Sequence, residues 1–268
     1  MPEYPLDLRA RWGWDGQPRL SAVADHLAAG APGYEPAVAG VCELLEWARS
    51  IPRTTTSAAE PCWENSYWGT IDALMQCAAL KSRNPATYLE VGSGHSTLFA
   101  RRAISDFGLR TKIVSIDPAP RAEVDACCDE LLRLPLQDAG PELFEGLEQG
   151  DMLLLDGSHV ALMNSDATVF FLELMPRLAP GVLVGIDDVF LPWDYPPTWT
   201  GRIYGEQYLL AALLLGGAAG WTVRFPGWWL VEESELAARF EPLWPVVENS
   251  FGRHAGSFWL ERDTAPQA

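Results

Sequence analysis

Acidic residues lie at the ends of four short apolar segments of the sequence. They are Glu90, Asp117, Asp156 and Asp187, in the segments 86–91, 112–117, 152–156 and 182–187. Ligands of open α/β sheets bind beyond the carboxyl ends of the strands, so these carboxylates are expected to gather at one edge of a sheet. Such a site could hold hydroxyls, amines or a metal ion.

The most crowded part of this edge is predicted at Asp156, Asp187 and Asp188. Neighbouring strands lie ~5 Å apart, and three carboxylates at such distances repel one another unless they are protonated or bind a cation. Oxygen ligands suit Mg²⁺ or Ca²⁺. Consecutive side chains of a strand point to opposite faces, so Asp187 and Asp188 can serve one ion only if the strand has ended by Asp187. The sequence leaves both a metal site and a metal-free site open.

His159 follows Asp156 closely and offers a proton acceptor at the same edge. Its reference pKa of ~6.5 suits a general base near neutral pH. The alternative is a histidine at the start of a helix that Ser158 caps. The candidate catalytic residues are therefore His159, Asp187 and Asp188.

A glycine-containing turn follows the first of these strands, within the segment Tyr88–Thr97. Gly92 and Gly94 let the backbone approach a ligand closely, and Ser96 and Thr97 suit the first turn of a helix. An anionic group can rest on the free N–H groups there. A dinucleotide fingerprint needs a third glycine where this chain has Thr97, which disfavours a nicotinamide cofactor.

Asp117 is separated from Glu90 by the length of one helix and one strand, so we expect it beside the glycine turn. A carboxylate in that position accepts two hydrogen bonds from a ribose diol. A helix N-cap or a solvated turn is the alternative role.

The elements that carry these residues alternate between short apolar runs and helical segments, which is typical of a parallel sheet covered on both faces. Further strands are predicted at 221–225 and 257–261, and helices at 69–81, at 205–215 and from 233. The sheet then has six or seven strands. Residues 1–60 instead combine a Pro- and Trp-containing arm with helical periodicity over 38–48.

Four segments, in this order, resemble a class I S-adenosylmethionine-dependent methyltransferase. They are Glu-Val-Gly-Ser-Gly at 90–94, Ser-Ile-Asp at 115–117, the run with Asp-Gly-Ser-His at 151–159, and the run ending in Asp-Asp at 178–188. Residues 257–261 also resemble the last, antiparallel strand of that fold. The resemblance spans roughly residues 60–262.

The resemblance implies an α/β fold of the Rossmann-like, doubly wound type, with a seven-stranded, mostly parallel sheet. Residues 1–60 become an N-terminal arm and helical extension, and residues 61–268 the methyltransferase domain.

The resemblance also implies S-adenosylmethionine as the cofactor. The glycine turn would hold the methionine part, Asp117 the ribose, and Asp138, with Leu136 and Gln137, the adenine. The predicted cofactor residues are Glu90, Gly92, Ser93, Gly94, Ser96, Thr97, Asp117, Asp138 and Asp156. The acidic group resembles the metal site of catechol-type and macrolide-sugar O-methyltransferases, which would make Asp156, Asp187 and Asp188 ligands of Mg²⁺.

Aromatic residues are predicted to flank the same end of the sheet. A Pro-rich loop at 190–199 directly follows the acidic pair, and we interpret it as a lid or substrate wall, with core packing as the alternative. Arg202 could pair with a substrate carboxylate or phosphate, or with Glu206 on the same helix start. The predicted substrate residues are Tyr67, Trp68, Trp193, Tyr195, Trp199 and Arg202.

The charge balance limits the partners. The chain has 268 residues and a net charge of −17, which disfavours nucleic acid and anionic membranes as partners. The start of the sequence carries no secretory signal pattern, and we expect a cytoplasmic protein with reduced cysteines. The composition permits a homodimer but locates no interface.

The sequence thus predicts an S-adenosylmethionine-dependent methyltransferase that acts on a small-molecule acceptor. Oxygen is the favoured nucleophile because an acidic cluster that resembles a metal site activates hydroxyls. The alternatives are an N-methyltransferase of a small molecule without metal, a nicotinamide-dependent oxidoreductase, and a non-catalytic cofactor-binding protein on the same fold.

Overall fold

The computed structural model describes residues 7–120, 123–250 and 252–264 of the chain. Residues 1–6 of the predicted N-terminal arm and residues 265–268 of the predicted methyltransferase domain lie outside the described residues.

A seven-stranded sheet runs through the centre of the molecule. Its strands are β1 (Thr87–Val91), β2 (Lys112–Ile116), β3 (Glu130–Leu132), β4 (Met152–Leu155), β5 (Leu183–Ile186), β6 (Trp221–Pro226) and β7 (Phe258–Arg262). The spatial order is β3-β2-β1-β4-β5-β7-β6. The first five strands pair in parallel, and β7 runs antiparallel between β5 and β6. The predicted Rossmann-like, mostly parallel sheet is confirmed.

The order of the strands reverses at β1, which lies between β2 and β4. In doubly wound sheets a crevice opens at this point, beyond the carboxyl ends of the strands. The glycine turn follows β1, Asp117 follows β2, Asp156 follows β4, and Asp187 follows β5. The topology therefore brings the predicted chemistry to one edge of the sheet.

Helices cover both faces of the sheet. The α-helices are α1 (Ser21–Gly30), α2 (Glu35–Cys42), α3 (Leu45–Ser50), α4 (Thr70–Arg83), α5 (His95–Phe107), α6 (Glu142–Glu145), α7 (Asp166–Val169), α8 (Glu206–Leu215), α9 (Gly227–Glu232) and α10 (Trp244–Val247). Helix α5 begins directly after the glycine turn and ends at Phe107, and the following Gly108 has a φ of +63°, which suits a glycine cap. Within the described ranges, no helix has the length and apolar character needed to cross a membrane.

The central strands are apolar on both faces because helices bury both. Every residue of β4 and β5 is buried, as expected for parallel strands between two helical layers. Gly185 of β5 has no side chain because the ring of Trp259 on β7 fills that space. A Cβ there would lie 2.7 Å from the Trp259 ring.

The N-terminal helices share a hydrophobic core with the sheet. Val23 and Leu27 of α1, and Val38 and Val41 of α2, are fully buried in the same cluster as the strands. Helix α2 packs against α4, and α1 packs against α8. The division at residue 60 stays a prediction.

The segment after β6 differs from the prediction of a helix beginning near residue 233. Helix α9 begins already at Gly227, and residues Glu235–Phe240 form a separate 3-10 helix. Gly227 permits this early start because it has no side chain. A Cβ there would lie 2.6 Å from the carbonyl oxygen of Ser257. Trp228 and Trp229 consequently lie on a helix.

Asp72 joins helix α4 to the start of β7. Its side chain is fully buried, and its Oδ1 and Oδ2 accept hydrogen bonds from the backbone N–H groups of Ser257 (2.7 Å) and Gly256 (2.9 Å). We expect Asp72→Ala to lower the free energy of unfolding by about 3 kcal/mol, because two buried N–H groups lose their acceptor. Urea denaturation measures this change, with the exposed Asp25→Ala as control. A loss no larger than that of the control would contradict the role.

Candidate active site

A cavity of about 1020 Å³ lies at the carboxyl ends of β1, β2, β4 and β5. Small-molecule pockets measure ~300–1,000 Å³, so this volume is at the upper end and suits two ligands side by side. The glycine turn, Asp117 and Gln137 line this cavity, and so do the aromatic side chains of Tyr67, Trp68 and Trp199. Asp156 and Asp188 line it as well.

The glycine turn is shaped by the close approach of β1 and β4. Gly92 has a φ of +81°, and a Cβ at this position would overlap the backbone oxygen of Asp156. Nothing lies within 4 Å of the position that a Cβ on Gly94 would take. Gly92 is therefore required by packing, whereas Gly94 leaves open space beside the cavity.

Asp117 is bound to the glycine turn. Its Oδ2 accepts hydrogen bonds from the backbone N–H (2.8 Å) and hydroxyl (3.0 Å) of Ser93, and its Oδ1 accepts one from the N–H of Ala119 (2.8 Å). A carboxylate has about four lone-pair sites, so it can also accept from a ligand. Asp117 is half-buried and lines the cavity, which fits a ribose diol.

Glu90 and Thr97 support the glycine turn through hydrogen bonds and do not line the cavity. Glu90 is fully buried and accepts hydrogen bonds from the hydroxyls of Thr97 (2.6 Å) and Tyr88 (3.2 Å). The hydroxyl of Thr97 accepts from the N–H of Gly94 (3.0 Å). Thr97, where a dinucleotide fingerprint would have glycine, thus connects the turn to Glu90.

The other predicted cofactor residues separate into two groups. Ser93, Ser96 and Asp156 line the cavity, together with Leu136 and Gln137. Asp138 is exposed at the end of the 3-10 helix Leu136–Asp138 and lies outside the wall. Of the three residues predicted to contact the adenine, Leu136 and Gln137 line the cavity and Asp138 does not.

Asp187 and Asp188 both line the cavity because β5 ends at Ile186. Asp188 has a φ of +53°, in the left-handed region. The alternation of side chains along a strand therefore does not extend to Asp188. Burial, followed by the charges of Asp188 and Asp156, raises the pKa of the Asp187 carboxyl well above its usual value. The pKa of Asp188 is also raised, chiefly by burial.

His159 lies between carboxylates on both sides of its ring. Its Nε2 is 3.3 Å from Oδ1 of Asp156 and 3.6 Å from Oδ2 of Asp188, and its Nδ1 is 3.7 Å from Oε2 of Glu206. Burial alone lowers the pKa of His159, but the contacts with Asp156 and Glu206 and the charge of Asp188 outweigh burial and raise it well above its usual value. These contacts therefore favour the protonated imidazole.

The alternative of a capped helix start at His159 is wrong. His159 has a φ of +57°, and no helix begins there. The hydroxyl of Ser158 donates to Asp166 (2.5 Å). A left-handed φ at a residue with a side chain is unfavourable, and such residues concentrate at functional sites.

The acidic residues do not fit the predicted metal ion in this arrangement. Across the described ranges, no group of three or more His, Cys, Asp or Glu side chains is placed to hold a metal. Nε2 of His159 already lies between Asp156 and Asp188. A cation could bind both carboxylates only if the imidazole moved away.

Four of the six predicted substrate residues line the cavity, namely Tyr67, Trp68, Trp199 and Arg202. Trp193 and Tyr195 do not. They pack behind the wall, in an aromatic cluster with Phe190 and Trp228, which do line the cavity. The indole N–H of Trp193 donates to Glu233 (2.8 Å), and the hydroxyl of Tyr195 accepts from the N–H of Gln207 (3.1 Å). The Pro-rich loop is thus partly core and partly wall.

Arg202 stacks on an aromatic ring and does not form the predicted ion pair with Glu206. Its guanidinium carbon lies 3.7 Å from the ring centroid of Trp199, and its Nη1 donates to the hydroxyl of Tyr204 (3.4 Å). Glu206 is buried against His159 instead. Arg202 therefore reaches the cavity with its charge available.

Sequence reasoning missed several residues that the tertiary structure brings to the site, among them Trp14 and Glu206. Trp14 lines the cavity from the N-terminal arm, where its indole N–H donates to the backbone oxygen of Asp194 (2.8 Å). Glu206 contacts His159 from behind. No periodicity marks Trp14, and Glu206 reads as an ordinary helix-start acid. Neither residue gave a signal in the sequence.

Comparisons with known proteins agree with this geometry. Residues 89–189 match the family described as "Methyltransferase domain". The matched segment contains the glycine turn, Asp117 and the acidic group. This match supports a class I S-adenosylmethionine-dependent methyltransferase. It favours that class over the nicotinamide-dependent oxidoreductase that the sequence left open.

Solved structures show weaker similarity. An S-adenosylhomocysteine-bound methyltransferase from Podospora anserina is 16% identical, with 84% of this chain and 88% of that chain covered and a TM-score of 0.44. An O-methyltransferase from Bacillus cereus is 13% identical, with 92% of each chain covered and a TM-score of 0.43. No curated protein matches the sequence significantly. Similarity at this level says nothing about the substrate of this chain.

The buried Glu90 makes stability depend on pH. Burial raises the pKa of Glu90 from 4.5 to about 7. Between these values the unfolded chain releases a proton that the folded protein keeps, so this stabilising contribution is complete below pH 4.5 and is lost as the pH rises through 7.

We expect the stability of wild type relative to Glu90→Gln to fall by about 3 kcal/mol between pH 4 and pH 8. Chemical denaturation of both proteins at both pH values measures the difference. A difference that does not change with pH would contradict a buried, protonated Glu90.

Proposed function

We propose that the protein transfers the methyl group of S-adenosylmethionine to a hydroxyl oxygen of a small-molecule acceptor. The observation that carries this proposal is one cavity whose wall combines three kinds of groups. They are the glycine turn with Asp117, a set of aromatic rings, and the contact group of Asp156, His159 and Asp188.

The cofactor would lie along the part of the wall that the glycine turn and Asp117 form. Gly92, Ser93 and Gly94 would hold its methionine part, Asp117 its ribose, and Leu136 with Gln137 its adenine. Glu90 and Thr97 act as supports of the turn. When bound, S-adenosylmethionine supplies a methyl group whose bond to sulfur breaks, with its electron pair going to the sulfur, as the new bond to the acceptor oxygen forms.

The acceptor would lie among the aromatic side chains that line the same cavity. Tyr67, Trp68, Trp199 and Trp14 supply rigid faces. In the described part of the chain, no carboxylate forms an ion pair with Arg202, so its guanidinium can bind a carboxylate or phosphate of the acceptor. Holding both reactants in one cavity supplies orientation, which can lower the barrier by ~7–11 kcal/mol.

The acceptor hydroxyl must lose its proton, and Asp188 is the residue we assign to accept it. Burial raises the pKa of this carboxyl and makes it a better base. The raised pKa of His159, predicted from the sequence as the base itself, favours its protonated form as a donor to these carboxylates. Asp187 lines the same cavity, and its burial together with the charges of Asp188 and Asp156 raises its pKa and favours its protonated form.

Mg²⁺ assistance is the second form of this proposal. Three carboxylates are ligands of the right chemistry for Mg²⁺, but the ion requires His159 to leave its place between Asp156 and Asp188. N-methylation of an amine would use the same cavity without metal. A homodimer and a cytoplasmic location stay predictions.

Calorimetric titration of S-adenosylhomocysteine into the protein tests the cofactor assignment, with NADH as the second ligand. We expect Asp117→Ala to weaken S-adenosylhomocysteine binding by about 10- to 100-fold, because the ribose loses a hydrogen bond to a charged acceptor. The exposed Asp125→Ala is the matched control. An unchanged affinity in Asp117→Ala would contradict the ribose contact, and NADH binding by wild type would contradict the cofactor.

A chelator separates the two forms of the proposal. A panel of hydroxylated aromatic acids, assayed for methyl transfer from S-adenosylmethionine, identifies an acceptor. We expect the rate to be unchanged by EDTA, because Nε2 of His159 lies between Asp156 and Asp188, and to fall about 100-fold or more in Asp188→Asn. A rate that EDTA abolishes and Mg²⁺ restores would favour the metal-assisted form.

A further inference from the structure

We propose that Glu206 is the positioning residue of this site. It holds the imidazole of His159 from behind, so that Nε2 faces Asp156 and Asp188 at the cavity. The consequence for catalysis rests on the function proposed above, whereas the positioning itself does not.

The carboxylate of Glu206 is buried without a hydrogen-bond partner. The residue is 1% exposed, and neither Oε1 nor Oε2 has a hydrogen-bond partner among the described residues. The nearest cationic group is Nδ1 of His159, 3.7 Å from Oε2. An isolated buried carboxylate costs several kcal/mol. Burial raises the pKa of Glu206, and the imidazole of His159 is the nearest side chain placed to stabilise its charged form.

The backbone holds the two residues together as well. The N–H groups of Gly205 (2.8 Å) and Glu206 (3.2 Å) both donate to the carbonyl oxygen of His159. These bonds stabilise the left-handed conformation of His159, whose φ is +57°. Glu206 is also the first residue of the ten-residue helix α8, where the helix dipole stabilises a negative charge.

The contacts around the ring leave one orientation for the imidazole. The ring of Tyr204 lies 4.7 Å from it, at an interplanar angle of 44°. Glu206 lies at Nδ1, and Asp156 and Asp188 lie at Nε2. The N-terminus of α8 thus controls which nitrogen faces the carboxylates of the cavity. Glu206 acts through His159 and does not itself line the cavity.

The imidazole signals of His159 test the positioning without an acceptor. The chain has four histidines, so a long-range ¹H–¹⁵N spectrum resolves each ring, and His159→Ala assigns the signal. We expect Glu206→Gln, which keeps the size of the side chain, to shift the Nδ1 resonance of His159 and leave the other histidines unchanged. The exposed Glu173→Gln is the matched control.

His159 resonances in Glu206→Gln that coincide with wild type would overturn the proposal. If Glu206→Gln does not fold, Glu206→Asp replaces it. The aspartate side chain is one methylene shorter, which moves the negative charge away from Nδ1 of His159. The Nδ1 resonance of His159 must therefore shift. An unchanged resonance in Glu206→Asp would overturn the proposal equally.

Kinetics with an acceptor from the panel tests the catalytic consequence. We expect Glu206→Gln to lower kcat by about 10- to 100-fold, the range typical of groups that orient a functional histidine from behind. KM should change by less than about twofold. If Glu206 acts through His159, Glu206→Gln adds no loss to His159→Ala.

If the losses in kcat caused by Glu206→Gln and His159→Ala multiply in the double variant, the proposal that Glu206 acts through His159 is overturned. A wild type that does not bind S-adenosylhomocysteine would instead contradict the proposed function, and the histidine spectrum would still report on the positioning.

Discussion

The contact between the turn after β1 and the end of β4 is the constraint on which the site depends. Gly92 lies so close to the backbone oxygen of Asp156 that a side chain does not fit between them. Its N–H donates to Ile116 at the end of β2 (2.9 Å), and the N–H of Asp156 donates to Val91 at the end of β1 (2.8 Å). The ends of these strands are fixed relative to one another. The crevice beyond them is therefore preformed.

Buried negative charge is the second constraint, and it is met from within the protein. Asp156 and Asp188 face one nitrogen of His159, and Glu206 faces the other. Several carboxylates can be buried together only when protons or cations compensate them. The imidazole is placed to supply part of that compensation, and burial raises the pKa of Asp187 and of Asp188, which favours proton binding at these carboxyls as well.

The prediction of the fold succeeded because its determinants are local. Strands buried on both faces require continuous apolar runs, and β4 and β5 are such runs. The glycine turn is visible in the sequence because only glycine permits φ of +81° at Gly92. The segments around Trp193 and Tyr195 were interpreted less well. Proline and aromatic residues mark an irregular loop, but they do not say which of its rings face a cavity and which face the core.

The sequence by itself determined the order of strands and helices, the glycine turn and the carboxylates at the strand ends, since each of these depends on residues adjacent in the chain. Tertiary structure alone decided the partners of those carboxylates. Glu206 meets His159 across more than forty residues, and Trp14 reaches the cavity from the opposite end of the chain. Charge compensation and cavity walls depend on distances between segments that are remote in sequence. Such distances exist only after the sheet and its helices have packed.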